Sequence, residues 1–71
     1  MEEIINWYDS LKNKDNEWSG YNKTIIDGKI TSLTIQSPKN NKEPPPIGKW
    51  KFLGEHIYEN KRYWWKINFI V

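Results

Sequence analysis

The chain has 71 residues, a net charge of +2, no cysteine and one histidine, His56. A chain of this length closes a single hydrophobic core, because about 60% of its unfolded surface is removed from water on folding. The inventory excludes a disulfide framework and a Cys/His zinc site, and no apolar run approaches the ~20 residues of a membrane helix. Residues 1–71 therefore read as one domain that folds without staples, metal or cofactor.

Leu, Ile, Val and Phe supply 16 of the 71 residues, a low share, which five Trp and four Tyr offset with large buried area per residue. The opening Met-Glu-Glu has neither the basic nor the apolar stretch of an export signal, so a soluble, cytoplasmic protein is expected. Charge is uneven along the chain. Residues 1–38 carry four Lys against six acids, and residues 39–71 carry six Lys and one Arg against three acids. The absence of Ala, with ten Ile, ten Lys and eight Asn, fits an AT-rich coding sequence and suits a phage or other mobile element.

In the first thirteen residues Ile4, Tyr8 and Leu11 fall at i, i+4 and i+7, flanked by Ile5 and Trp7. That spacing predicts an amphipathic helix over residues 3–13, with Glu2 and Glu3 at its start and Lys12 and Lys14 at its end, as the helix dipole prefers. The run Asn13-Lys14-Asp15-Asn16-Glu17 has the look of a calcium loop. Trp18 stands where such a loop needs Gly, and no Glu follows at the twelfth position, so no calcium site is expected.

From Tyr21 to Gln36 the chain reads strand, turn, strand around Asp27-Gly28. A two-residue loop pairs Ile25 with Ile30; a three-residue loop sets Tyr21, Lys23 and Ile25 opposite Ile35, Leu33 and Thr31. The second register has the cleaner apolar set and is the one expected. Residues 30–48, Ile-Thr-Ser-Leu-Thr-Ile and then Asn-Asn and Pro-Pro-Pro-Ile-Gly, resemble the strand and exit of one plant-type leucine-rich repeat. Pro38 occupies the place of the repeat's Asn and no second copy follows, so no solenoid face can be buried. Pro44-Pro45-Pro46 lacks PxxP spacing and reads as a stiff connector.

Lys49 to Tyr58 and Arg62 to Val71 form a second hairpin. Pairing Tyr58 with Tyr63 places Trp50, Phe52, Gly54 and His56 opposite Val71, Phe69, Ile67 and Trp65 on one face. Lys51, Leu53, Glu55 and Ile57 then oppose Ile70, Asn68, Lys66 and Trp64 on the other, with Glu55 and Lys66 as an ion pair. The expected fold is α+β: the helix packed on a small antiparallel sheet of two hairpins, about four strands, with room to curl toward a small barrel, and with Tyr8 and Leu11 of the helix on the hairpin face that carries Phe52 and Trp65.

Catalytic chemistry finds little material. His56 is the sole imidazole and is expected beside Trp65 in the core, and no Ser lies in a nucleophile elbow. Binding is left. Trp64 and Trp65 are adjacent on a strand and leave by opposite faces. If the helix covers Trp65, then Trp64, Lys66, Lys51, Ile57, Leu53 and Arg62 form an aromatic and basic patch on the uncovered face. Such a patch suits a protein-binding module, an adaptor or inhibitor, with another protein as partner. The alternative is a single-stranded nucleic-acid binder using Trp64 for stacking and Lys51, Lys66 and Arg62 for phosphates. A glycan platform on Trp64 ranks third.

Overall fold

The computed structural model describes residues 1–14, 16–56 and 61–69, with His56 described by its backbone alone. One helix, α1 (Glu2–Asp9), precedes four strands: β1 (Ser19–Ile26), β2 (Lys29–Gln36), β3 (Lys51–His56) and β4 (Arg62–Asn68). They form a single antiparallel sheet in the order β1-β2-β4-β3. The two expected hairpins are present and join through their second strands. Closure toward a barrel does not occur. Four strands of six to eight residues span too little circumference to wrap a packed interior, and β1 and β3 remain as edges.

Composition explains which strands are central. Ile-Thr-Ser-Leu-Thr-Ile in β2 and Tyr-Trp-Trp-Lys-Ile in β4 are β-branched and aromatic runs that fill a two-sided environment. Leu33 and Ile35 lose all exposure, and with Trp50, Tyr63, Trp65 and Ile67 they make the buried core. Across the β2–β4 seam Leu33 opposes Ile67 and Ile35 opposes Trp65, so one face of the sheet carries the apolar set.

The helix lies on that face and is shorter than its periodicity suggests. It ends at Asp9, where the Ser10 hydroxyl donates to Trp7 O at 2.6 Å, and Asn13 adopts a left-handed φ of 55°. Short polar side chains that bond the local backbone compete with helical bonding, so the helix stops before Lys12 and Lys14. Leu11 still packs against the core from outside the helix. Trp7 stands edge-on to both Trp18 and Trp50 at centroid distances of 6.0 and 5.9 Å. Tyr8 lies over β1, not over Phe52 and Trp65 as the sequence suggests: Lys23 Nζ sits 5.4 Å from its ring and pairs with Asp9 at 2.9 Å.

Both hairpins depart from their expected registers: the first at bulges, the second by a slip of its whole described pairing, in which Phe52 meets Trp65 rather than Phe69, with a bulge besides. The first turns through Asp27 and Gly28, both at positive φ (51° and 76°), a two-residue primed turn that pairs Ile25 with Ile30. Thr31 is then an extra residue, after which Thr24 opposes Ser32 and Lys23 opposes Leu33. The middle of the hairpin thus has the expected register and its turn has the other. A second irregularity at Tyr21 brings Gly20 opposite Ile35. In the second hairpin Phe52 opposes Trp65, but Leu53 is extra, and Gly54, Glu55 and His56 oppose Trp64, Tyr63 and Arg62. Gly54 takes φ 154°, which residues with a side chain rarely adopt, and so permits the bulge.

The expected Glu55–Lys66 pair is therefore absent: Lys66 faces Lys51, Glu55 moves to the face of Tyr63, and His56 pairs in register with Arg62 rather than Trp65. The expected pairing at Tyr58 and Ile70 lies outside the described residues. A hairpin considered alone ignores the second neighbour of β4, whose register with β2 must also bury Ile67 and Trp65.

Gly20 is required by close approach, since a Cβ there would meet Tyr8 Cζ at 2.9 Å. Gly20→Ala is expected to push the helix off β1 and cost roughly 1–3 kcal/mol, read from the urea midpoint. Burial raises the Tyr8 hydroxyl above its ordinary value near 10.0, with Lys23 opposing and Asp9 adding to the shift. Because the folded state holds this proton more tightly, the Tyr8 contribution is constant below pH 10 and is lost as pH rises through the raised value. Tyr8→Phe should flatten that alkaline decline in a stability-versus-pH series.

Candidate binding surface

Helix α1 and the segment after β2 cover one side of the sheet: Ile4 lies close to Gly48, Trp7 meets Trp50, and Lys42 reaches the Tyr63 ring. None of these contacts falls on the reverse face. There the central strand presents Ser32, Thr34 and Gln36, flanked by Asn22 and Thr24 from β1 and by Trp64, Lys66 and Asn68 from β4. Ser32 and Thr34 are nearly inaccessible because longer neighbours close over them. This face is more polar than an aromatic patch, and one ring pair dominates it. Tyr21, 64% exposed, meets Trp64 edge-on at a centroid distance of 4.2 Å.

Trp64, Lys66 and Lys51 come together as the sequence suggests. Lys51 and Lys66 are direct cross-strand partners, a like-charge arrangement that costs up to about 1 kcal/mol when no anion lies between. The strands contain one carboxylate, Glu55, and the bulge at Leu53 sends it to the opposite face. Leu53 itself sits at that bulge on the edge strand, half exposed. Ile57 lies outside the described residues.

Arg62 is placed differently from the other candidates. It is buried, and its Nε donates to Ser37 O at 2.7 Å while Nη2 donates to Ser19 Oγ at 2.7 Å and Glu17 O at 3.2 Å. Ser37, also buried, accepts the Tyr63 N–H on its hydroxyl and donates its own N–H to Tyr63 O. The guanidinium thus ties the start of β1, the end of β2 and the start of β4 together. A basic residue at a strand start gives no sequence sign of this.

Sequence reasoning also missed two features. Tyr21 joins Trp64 only because a bulge reorients it. On the helix side, the surface beyond the helix keeps a concavity of about 400 Å³ lined by Phe52, Tyr63, Trp65, Lys42 and Glu55. Phe52 was expected under the helix, yet it is 51% exposed, since the helix sits toward β1. Among the described residues no three His, Cys, Asp or Glu side chains converge to hold a metal, and no helix is long and apolar enough to cross a membrane. No family model matches this sequence, and no curated protein or solved structure is detectably similar to it.

Arg62→Lys removes the fork while keeping the charge. It should lower stability by roughly 2 kcal/mol or more, because a single ammonium cannot replace the fork that serves three acceptors on two separate segments. Chemical denaturation of the two proteins at matched pH checks this.

Proposed function

We propose that this chain is a non-enzymatic protein-binding module, an adaptor or inhibitor, whose helix-free sheet face seats an acidic, extended segment of another protein. The supporting observation is the Lys51–Lys66 cross-strand pair beside the Tyr21–Trp64 rings, on a face to which the strands contribute no carboxylate. An anion between the lysines relieves their repulsion, and the rings and the Asn, Ser, Thr and Gln side chains supply contact area and hydrogen bonds. Ser10, Ser19 and Ser37 are engaged with neighbouring backbone or with Arg62, which supports the non-enzymatic reading.

A second reading, single-stranded nucleic acid, draws on the same lysines and on the exposed Tyr21 ring as a base-stacking surface. Fluorescence anisotropy with a labelled Glu/Asp-rich peptide containing one aromatic residue, and with a labelled oligothymidylate, separates the two. The peptide should bind with modest loss between ~0.05 and ~0.3 M salt. Oligonucleotide binding that alone is strong and falls steeply with salt shifts the assignment to nucleic acid. Trp64→Ala should fold and lose most of the peptide affinity, whereas Trp65→Ala should cost about 3–5 kcal/mol of stability. A folded Trp64→Ala that binds unchanged removes the ring from the interface.

A further inference from the structure

The concavity beside the helix has a composition that neither the fold nor the proposed open face requires. Phe52 meets Trp65 edge-on at 5.2 Å and lies tilted to Tyr63 at 6.2 Å, so three rings at different angles wall one site. The bulge at Leu53 turns Glu55 to this side, opposite Tyr63, and its carboxylate has no hydrogen bond or ion pair among the described residues. Glu55 is itself exposed, so its carboxylate stands at the solvated rim of the concavity beside the rings. A cation is already present at the site. Lys42, from the connector between β2 and β3, places Nζ 6.0 Å from the Tyr63 ring centroid.

The half-exposed Phe52 ring, the Tyr63 face over which Lys42 already lies and one unpaired carboxylate are complementary to an alkylammonium group, although Tyr63 and Trp65 are themselves nearly buried: the ring faces attract the positive charge, the apolar walls take the methylenes, and the carboxylate accepts from the N–H groups. We infer that this cleft receives a lysine side chain presented by a partner protein, and that Lys42 occupies the Tyr63 face as an internal stand-in until it is displaced. The occupant is a lysine because a lysine of the chain itself already sits on Tyr63 and because Glu55 supplies the complementary charge. The inference rests on the reading of this chain as a protein-binding module, but uses the face opposite Trp64.

Three consequences separate a cation site from a generic apolar dent. The charged ligand must be preferred to its neutral isostere. Loss of Glu55 must weaken binding, and loss of Lys42 must strengthen it, since the stand-in no longer competes.

The probes are the blocked tripeptides acetyl-Gly-Lys-Gly-amide and acetyl-Gly-norleucine-Gly-amide, titrated into the full chain with amide and indole NMR shifts as the readout. The lysine peptide should shift Phe52, Glu55, Tyr63 and Trp65 saturably and bind at least about threefold more tightly than the norleucine peptide. Glu55→Gln should weaken it by about threefold or more, and Lys42→Ala should tighten it by a similar factor. Phe52 is half exposed, so Phe52→Ala keeps the fold and should also weaken binding. Equal affinity for norleucine, shifts confined to Tyr21 and Trp64, or no saturation even in Lys42→Ala would overturn the inference. Trp64→Ala serves as the control: it should leave lysine-peptide binding intact, so a failure of the open-face reading and a failure of the cleft are told apart.

Discussion

Arg62 holds the corner on which the rest of the molecule is arranged. A buried guanidinium is costly unless its donors are met, and here they reach Ser37 O on one segment and Glu17 O and Ser19 Oγ on another, both far from Arg62 in sequence. The bond to Ser37 fixes where β2 ends, and that to Ser19 fixes where β1 begins. With Ser37 paired to Tyr63 through both its N–H and its hydroxyl, the β2–β4 seam is anchored at one end. The seam in turn sets Leu33 against Ile67 and Ile35 against Trp65, so a polar tie determines the alignment of the apolar core.

The core then divides the surface. An eight-residue helix spans about 12 Å, too short to cover a four-stranded sheet, and Tyr8, packed on Gly20, holds it toward β1. Two kinds of surface remain. One is the reverse face, where β-branched and small polar residues sit under longer polar neighbours and the Tyr21–Trp64 pair projects. The other is the β3 end of the helix side, where the half-exposed Phe52 ring borders the buried Tyr63 and Trp65 and the Lys42 side chain reaches the Tyr63 ring. An aromatic content high enough to stabilise so small a core also leaves rings at its margins.

Bulges assign charges to these surfaces. Without the extra Leu53, strict alternation from the Lys51–Lys66 pair would set Glu55 opposite Arg62 on the reverse face, leaving the cleft without a carboxylate. With it, the cations stay on one face and the acid goes to the other. Gly54 permits that arrangement through its φ, so a single backbone position governs the electrostatics of both proposed sites. The bulges also kink both edge strands, which lessens their capacity to pair with further chains.

Local patterns in the sequence were sufficient for the element types: an apolar i, i+4 stripe in the first residues, Asp-Gly between β-branched runs, and two aromatic runs around a polar turn. They were sufficient as well to send Trp64 and Trp65 to opposite faces, since strand alternation alone separates neighbours, though not to say how far Trp64 is covered. Helix length, hairpin register and the role of Arg62 were not legible. Each depends on a second neighbour: Asn13 beyond the helix end accepts the Gly20 N–H of β1, β4 must satisfy β2 and β3 together, and a strand-start arginine is structural only when distant acceptors converge on it. Register is set by the sum of pairings across the whole sheet, a quantity the linear chain does not contain, and so only the tertiary structure decided which charges share a face with which rings.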